Sequence, residues 1–399
     1  MGIEQGPQSR LPEGGTNLFQ SIKLKTLEAE GRGIKIIRLS IGQPQGPALE
    51  SARIAAAEAV MSDIESMHEY QDNGSPGIPD FARRFIQTHV NVDLERENVD
   101  FLPIPGIKPM FPLIPLACGG DAGKKIDIVT TTNPGYPTPK DWAKNYWGHN
   151  VYEPALMPGN EFVLNPLMVP DNTDLVMMNY PHNPSGQVLN SDQLSKLCAH
   201  CEKNGIRLFN DAAYVALSHD KSSTALTDVA VDFPDLSWAE AYSASKVISN
   251  GTGWRIGAMA GSPDFISDLG RIKGNTDSGF AAPLAVGVLY AVENDRPGIE
   301  EARLAYERRL GLLTKILLRN RMERAVAPKA GFFSLWKTPR EAFGQLIRSA
   351  EQFNFLMIEK TGVVGVHFEP YMRYAVTGNI EAYADSINSA FREARVSYK

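Results

Sequence analysis

Features that are scarce in this chain of 399 residues exclude several classes of protein. Three cysteines are too few for a disulfide-stabilised scaffold of this size. No apolar run reaches the roughly 20 residues that a membrane-spanning helix requires. The first residues lack a basic segment followed by an apolar one, so the sequence predicts no secretory signal, and we expect a cytoplasmic protein. A net charge of −6 argues against a nucleic-acid-binding surface.

The size and composition indicate a folded protein of more than one domain. The apolar fraction of 43% and the charged fraction of 22% are ordinary for globular proteins. A chain of 399 residues exceeds the usual size of a single hydrophobic core, so two domains are expected. The first seventeen residues are polar and rich in glycine and proline, which predicts a loose arm.

Two of the cysteines, Cys198 and Cys201, form a C-x-x-C motif. The surrounding pattern predicts one amphipathic helix with Ser191 as its N-cap and Gly205 as its C-cap. A structural zinc site would need a second pair of ligands at suitable spacing, and the sequence shows none. We therefore predict that these cysteines belong to the core and that the protein binds no metal.

Short apolar runs alternate with helical patterns through the middle of the chain. Four runs, residues 126–130, 175–179, 206–210 and 239–242, have the length and composition of buried strands. Their alternation with helices is typical of βαβ units, so the sequence predicts an α/β fold with a mostly parallel sheet. Each run ends in a polar segment, and ligands of such sheets bind outside the carboxyl ends of the strands.

The pattern changes after about residue 284. A long helical pattern over 301–318 precedes strand-like runs at 331–336 and 372–376, with another helix predicted over 340–354. This combination indicates a smaller α+β domain, which we expect the N-terminal segment to join. The predicted division is an arm and small-domain segment over residues 1–49, a large ligand-binding domain over 50–283, and a small C-terminal domain over 284–399.

A candidate reactive lysine follows the last predicted strand of the sheet. The sequence Ser243-Ala-Ser245-Lys246 is followed shortly by Gly-Trp-Arg255-Ile-Gly. A lysine at a strand end can present its amine to a carbonyl group. The two serine hydroxyls and Arg255 offer donors to a phosphate, which arginine can bind with two parallel hydrogen bonds. By itself this motif is also compatible with a surface lysine.

Two further motifs follow other predicted strands. Asp211 comes at the tip of an apolar run, where a buried carboxylate needs a cationic partner or stays protonated. A protonated ring nitrogen is one such partner, and Tyr214 lies three residues further on, where it could hydrogen-bond a ring substituent. Asn183-Pro-Ser-Gly186 predicts a tight turn that would direct the Asn183 amide inward.

The three motifs occur in order, about one βα unit apart, and the chain from about residue 39 to 376 strongly resembles the class I/II aminotransferases, which are fold-type I enzymes dependent on pyridoxal 5′-phosphate (PLP). The resemblance implies that the large domain binds PLP as its cofactor. Lys246 would hold PLP as a Schiff base and act as the general base. Asp211 would keep the ring nitrogen protonated, and Tyr214 would complete the catalytic set.

The resemblance assigns further residues to the cofactor. Gly106, Ile107 and Lys108 resemble the loop whose backbone N–H groups bind the phosphate at a helix N-terminus. Tyr136, in Asn-Pro-Gly-Tyr-Pro, resembles the aromatic residue that stacks on the ring. The full set of predicted cofactor-binding residues is Tyr70, Gly106, Ile107, Lys108, Tyr136, Asn183, Asp211, Tyr214, Ser243, Ser245, Lys246 and Arg255.

The resemblance also implies a homodimer with shared active sites. Tyr70 is similar to the tyrosine that reaches the phosphate of the neighbouring subunit. The segment Asn275–Gly279 is similar to one found in the LL-diaminopimelate aminotransferase branch and would lie near that subunit.

The substrates implied are an amino acid and a 2-oxo acid, which exchange an amino group by a ping-pong mechanism. Arg373 resembles the arginine that binds the substrate α-carboxylate. Gly42 and Asn183 would also contact the substrate. No nucleic acid or membrane is expected as a partner.

Other functions are compatible with the same motifs. A PLP-dependent carbon–sulfur β-lyase, or another PLP lyase, would share every residue named, and a requirement for a 2-oxo acid would separate the two. A PLP-binding regulatory domain without catalysis would normally follow a basic DNA-binding module, for which the first forty residues are too short.

Overall fold

The computed structural model describes residues 18–71, 77–121 and 123–399. The loose arm predicted for residues 1–17 lies outside the described residues. The strands of the described part are β1 Ile37–Arg38, β2 Asp100–Ile104, β3 Asp127–Thr130, β4 Asn150–Tyr152, β5 Leu175–Met178, β6 Arg207–Asp211, β7 Trp238–Ser243, β8 Gly257–Gly261, β9 Arg324–Val326, β10 Phe333–Lys337, β11 Glu341–Ala342, β12 Gln345–Leu346, β13 Val363–Val364, β14 Val366–Phe368 and β15 Tyr371–Ala375.

The α-helices of the same residues are α1 Leu18–Gly31, α2 Glu50–Val60, α3 Phe81–Gln87, α4 Leu113–Ala117, α5 Thr138–Lys140, α6 Ser191–Asn204, α7 Thr227–Ala230, α8 Ala244–Val247, α9 Pro263–Lys273, α10 Ala282–Asn294, α11 Arg296–Arg319, α12 Ala350–Thr361 and α13 Ala384–Ala394. A π-helical turn over Asp141–Tyr146 continues α5.

A seven-stranded sheet lies at the centre of the larger part, in the order β2-β8-β7-β6-β5-β3-β4. Strand β8 is antiparallel to both of its neighbours, and the remaining pairs are parallel. The four predicted strands are confirmed to within one residue at each end, as is the α/β class with a mostly parallel sheet. Strands β5, β7 and β8 are buried along their whole length because helices cover both faces.

A second sheet, of order β14-β15-β10-β9, is antiparallel and packs against α11, α12 and α13. The N-terminal segment joins this part, since Ile37 pairs with Val363 and α1 packs on α12. Helix α10 packs instead against α2 of the larger part, where a Cβ on Gly287 would lie 2.7 Å from that of Ala56. The predicted boundaries at residues 49 and 283 remain a prediction.

One predicted helix is wrong in its position. Residues 340–349 form the hairpin of β11 and β12, in which Phe343 and Gly344 have φ of 53° and 74°. Such left-handed backbone cannot continue a helix. Helix α12 begins only after Ser349, whose hydroxyl accepts a hydrogen bond from the Gln352 N–H at 3.0 Å.

The helix that carries the two cysteines is confirmed, but its N-cap is Asn190 and not Ser191. The Asn190 side chain accepts from the Gln193 N–H, and the Gln193 side chain accepts from the Asn190 N–H, which forms a capping box. Gly205 is the C-cap, with φ of 65°. Cys198 and Cys201 are buried, and burial raises the pKa of the Cys201 thiol to about 12.

The described residues contain neither a candidate metal site nor a candidate membrane-spanning helix. No cluster of three or more His, Cys, Asp or Glu side chains in this part of the chain could hold a metal ion. Nor does it contain a helix with the length and apolar character needed to cross a bilayer.

Candidate active site

The carboxyl ends of β5, β6 and β7 meet a cavity of about 230 Å³ that the small-domain strands β10 and β15 border. The fold explains this position, because parallel strands point their carboxyl ends to one edge of the sheet. Most of the predicted site residues line this cavity. Those that line it are Gly42, Ile107, Lys108, Tyr136, Asn183, Asp211, Tyr214, Ser243, Ser245, Lys246, Arg255 and Arg373.

Lys246 lies in the single turn of α8, directly after β7. The Ser243 hydroxyl caps this turn by accepting from the Ser245 N–H at 3.1 Å, which fixes the direction of the lysine. Burial lowers the pKa of Lys246 to about 8, while the negative charge of Asp211 opposes that decrease. More of the amine is therefore neutral near physiological pH than in an exposed lysine, and the neutral form is the one that acts as a nucleophile or base.

Asp211 ends β6 and is 7% exposed. Burial raises the pKa of its carboxyl to about 7, and a hydrogen bond from the Ala213 N–H, at 3.1 Å, acts in the opposite direction. Two interactions therefore offset the desolvation of the carboxylate: the hydrogen bond from the Ala213 N–H and the positive charge of Lys246. A cationic ring nitrogen in the cavity would stabilise its charged form.

The Asn-Pro-x-Gly motif forms the predicted tight turn. Gly186 has φ of 70°, and its N–H donates to the His182 carbonyl at 2.7 Å. Asn179 fixes the start of the turn, because its side chain donates to the Asp211 carbonyl at 2.8 Å and accepts from the Asn183 N–H at 2.9 Å. The turn therefore holds Asn183 in a fixed position relative to Asp211.

Arg373 reaches the cavity from β15 and is 2% exposed. It donates to the Asn183 side-chain oxygen at 2.9 Å and to the Ser40 carbonyl at 2.7 Å. Its guanidinium lies 4.3 Å from the ring centroid of Phe333 and 5.3 Å from that of Phe368. Burial lowers the pKa of Arg373 to about 10, and no hydrogen-bond partner of its buried Nε lies among the described residues. This cation retains unused donors that can bind a carboxylate.

Ser243, Ser245 and Arg255 form a cluster of donors at one end of the cavity. The two serine hydroxyls are 2.9 Å apart, and Arg255 is held by the carbonyls of Pro105 and Thr252 at 3.1 and 3.0 Å. Gly106 does not line the cavity but lies behind this cluster, where a Cβ would collide with the Arg255 guanidinium. This arrangement of hydroxyls and a guanidinium is suited to a phosphate group.

Two tyrosines form part of the cavity wall. Tyr136 lies against Phe111, with ring centroids 6.3 Å apart. Tyr214 packs edge-to-face on Phe333 at 5.5 Å, and the Asn183 side chain lies near its hydroxyl. Burial raises the pKa of Tyr214, so this phenol stays protonated at physiological pH.

Tyr70 is the predicted site residue that the structure leaves apart from the others. Its side chain is 81% exposed and does not line the cavity. The neighbouring residue Gln71 does not line the cavity either. The backbone N–H of Gln71 donates a hydrogen bond to the Ser278 carbonyl at 3.1 Å. Tyr70 and the segment Asn275–Gly279, both expected near a second subunit, are therefore adjacent in this chain.

Sequence reasoning missed several residues that line the cavity: Phe19, Phe111, Asn179, Ala213 and Phe333. Asn179 and Ala213 each lie within two residues of a strand end, so the rule that identified Asp211 could have found them. The three phenylalanines carry no comparable signal, because an isolated Phe in an apolar segment predicts only burial.

The fold and the site together define a class of enzyme. The family model described as aminotransferase class I and II matches residues 34–379. The chain belongs to this family, which confirms the predicted resemblance and an enzyme that transfers amino groups.

Curated relatives are similar over most of their length. The LL-diaminopimelate aminotransferase of Natranaerobius thermophilus is 29% identical over 90% of this chain and 92% of the relative. The enzyme of the same name from Methanocaldococcus jannaschii is 28% identical over 90% and 85%. Among solved structures, BacF from Bacillus subtilis with bound substrate has a TM-score of 0.83 at 21% identity, covering 97% of both chains. Aspartate aminotransferase of Thermus thermophilus has a TM-score of 0.80 at 19% identity, covering 96% of both chains, and these two likenesses concern the fold.

Proposed function

We propose that this protein is a PLP-dependent aminotransferase that exchanges an amino group between an amino acid and a 2-oxo acid by a ping-pong mechanism. The observation that carries the proposal is the meeting of Lys246, Asp211 and Arg373 around one cavity. Lys246 supplies an amine, and Asp211 supplies a buried carboxylate with few hydrogen-bond partners. Arg373 supplies a buried guanidinium with unused donors.

The residues present fit PLP, an aromatic aldehyde with a ring nitrogen and a phosphate. Ser243, Ser245 and Arg255 would hold the phosphate, and the loop of Gly106, Ile107 and Lys108 would close around it. The close approach of Gly106 to the Arg255 guanidinium supports this use, since any side chain there would disturb the cluster. Further residues would hold the ring: Tyr136 on its face, with Asn183, Asp211 and Tyr214 at its edge.

When bound, PLP supplies an electron sink for the carbanion that forms at the substrate Cα. Asp211 would hold a proton at the ring nitrogen by charge pairing, which its burial would strengthen. Lys246 would hold the cofactor through its amine and, when that amine is free, would accept the proton from Cα. Tyr214, a phenol that burial keeps protonated, would donate a hydrogen bond to a ring substituent.

Arg373 and Asn183 orient the substrate. The hydrogen bonds of Arg373 to Asn183 and Ser40 use two of its five N–H groups, so the others remain for the α-carboxylate. Gly42 permits the backbone to approach the substrate beside Phe333, whose ring would lie 3.3 Å from a Cβ at that position.

A homodimer with shared sites forms part of the proposal. Tyr70 is exposed and lies three residues after Met67, which lines a groove with Ile54, Ile64 and Tyr290. These last three side chains are 53%, 58% and 50% exposed. An apolar surface of this kind is typical of a subunit interface. A second copy of the chain bound at this surface would cover the exposed apolar side chains. The Tyr70 hydroxyl of each chain would then reach the phosphate end of the other chain's site.

The test is a pair of half-reactions. Purified protein loaded with PLP is mixed with single amino acids, and the loss of absorbance of the lysine-bound cofactor is followed. We expect the absorbance to return only after a 2-oxo acid is added, with no release of ammonia. Ammonia and pyruvate formed from a cysteine conjugate without a 2-oxo acid would identify a β-lyase instead.

A further inference from the structure

The wall of the cavity that no proposed cofactor contact uses is aromatic. Phe19, Phe111 and Phe333 line the cavity, and none of them is among the proposed cofactor contacts. Phe333 lies at the position from which a substrate side chain would extend, because its ring contacts the Arg373 guanidinium.

Phe333 connects the wall to the carboxylate site. Its ring stacks on the Arg373 guanidinium at 4.3 Å, and the Tyr214 ring packs edge-to-face on it at 5.5 Å. The backbone of Gly42 closes the remaining side, since a Cβ there would be 3.3 Å from the ring. The Cα of a bound amino acid is one bond from its carboxylate carbon, so its side chain must begin beside Phe333.

Phe19 borders the same cavity from α1 and is 36% exposed. The helix is held in this place by Ile22, which belongs to the same apolar cluster as Phe368. Phe368 in turn packs on the Arg373 guanidinium. The N-terminal helix and the carboxylate-binding arginine are thus connected through one set of packed side chains.

The positively charged side chains that line the cavity all have a proposed role. Among the described residues they are Lys108, Lys246, Arg255 and Arg373, and the proposed function assigns all of them to the cofactor or to the α-carboxylate. A second carboxylate on the substrate would lose water against the negative faces of aromatic rings, and none of these four cations would remain to pair with it. An apolar side chain would gain from burial against the same rings.

We infer that the substrate class is α-amino acids with an apolar side chain, above all aromatic ones, in preference to those with a distal carboxylate. This inference rests on the proposed function. It assigns Phe19 and Phe333 as residues that determine specificity.

The first experiment compares kcat/KM of the half-reaction for phenylalanine, leucine, alanine, glutamate and LL-diaminopimelate. Phenylalanine and leucine should exceed glutamate and LL-diaminopimelate by about 100-fold or more, the size of effect expected when a charged group meets an apolar pocket. Equilibrium binding to the PLP-loaded protein gives a readout that does not depend on turnover. By calorimetry, 3-phenylpropionate should bind at least about tenfold more tightly than glutarate.

The second experiment compares Phe19→Ala with Leu24→Ala, which removes an exposed side chain from the same helix but not from the cavity. Phe19→Ala should lower kcat/KM for phenylalanine about tenfold and leave that for alanine unchanged, because alanine does not reach the ring. Leu24→Ala should change neither value. Phe19→Arg should shift the preference towards glutamate.

The outcomes separate the two proposals. If no amino acid alters the cofactor absorbance, the proposed function fails. If glutamate or LL-diaminopimelate reacts as fast as phenylalanine or faster, the protein is an aminotransferase and the inferred substrate class is wrong. Equal losses for phenylalanine and alanine in Phe19→Ala would also overturn the role of Phe19 in specificity.

Discussion

Arg373 and Asn183 are 190 residues apart in sequence, and a 2.9 Å hydrogen bond joins Arg373 Nη1 to the side-chain oxygen of Asn183. This bond connects the antiparallel sheet of the smaller part to the turn after β5 in the larger part. It fixes the guanidinium plane at the edge of the cavity, and several predictions concern the residues around it.

The proposed carboxylate contact predicts that Arg373→Lys is not a conservative change. A lysine cannot form two parallel hydrogen bonds to a carboxylate or keep the bond to Asn183 in the same geometry. We expect kcat/KM for amino acids to fall by about 2–4 kcal/mol in transition-state free energy. The decarboxylated amine of the same side chain should react poorly with the wild type and lose little in the variant. Equal losses for the two compounds would instead indicate that Arg373 only holds the two parts of the chain together.

The covalent role of Lys246 is tested by labelling. Borohydride reduction of the PLP-loaded protein, followed by peptide mapping, should place the pyridoxyl group on Lys246. Lys246→Ala should still bind PLP, without the covalent link, and should lose roughly 10⁴-fold or more in turnover, because nucleophile and base are removed together. Lys108→Ala serves as the control and should retain the label at Lys246. A label on Lys108 in the wild type would contradict the assignment.

The proposed role of Asp211 predicts that Asp211→Asn separates catalysis from cofactor binding. The amide can still accept the hydrogen bond from the Ala213 N–H, so the fold should be retained. It cannot sustain a positive charge on the ring nitrogen, so turnover should fall by roughly 100-fold or more, with a smaller change in PLP affinity. Turnover and cofactor binding are measured on the same preparation. Near-normal turnover would show that another residue pairs with the ring nitrogen.

The raised pKa of Asp211 also predicts a pH-dependent stability of the cofactor-free protein. Its pKa is about 7 in the folded state against an ordinary value of 3.8. Between these two pKa values the folded state keeps a proton on Asp211 that the unfolded state has lost. The free energy of unfolding of the wild type therefore falls as the pH rises from about 4 to about 7. Asp211→Asn does not titrate there. Its free energy of unfolding relative to wild type should therefore increase from pH 4 to pH 7, by at most about 4 kcal/mol.

Urea unfolding at several pH values checks this expectation, with Asp63→Asn as the control at an exposed carboxylate. The control should show no comparable change, because its side chain stays in water in both states. A stability difference for Asp211→Asn that does not change with pH would contradict the raised pKa.

The shared site predicts that two inactive variants restore each other. In a mixed dimer of Lys246→Ala and Tyr70→Phe chains, one site carries both defects and the other carries neither. Part of the wild-type activity should return after subunit exchange, provided that Tyr70→Phe alone is impaired. The matched control is Lys246→Ala mixed with Asp211→Asn, in which each site keeps one defect and no activity should return. A monomer in sedimentation, or no recovery after demonstrated exchange, would refute the shared site.

Much of the larger part of the fold followed from the sequence. The four apolar runs that became β3, β5, β6 and β7 were located to within a residue, since buried parallel strands are short, continuous and bounded by polar segments. The hairpin at β11 and β12 was not foreseen. Its residues do not differ in pattern from an amphipathic helix, and the left-handed backbone at Phe343 and Gly344 depends on local packing.

The sequence by itself determined that Lys246, Asp211 and Asn183 lie together, because each follows a strand of one parallel sheet and the carboxyl ends of such strands share an edge. For the smaller part, only the resemblance to a known family placed Arg373 and Gly42 at that edge, and the tertiary structure decided that Phe333 and Phe19 reach it as well. Arg373 stacks between Phe333 and Phe368, and Phe19 closes the cavity from a helix at the other end of the chain. Asn183 and Phe19 are both far from Arg373 in sequence, and no local pattern of side chains encodes how two separate cores pack against each other.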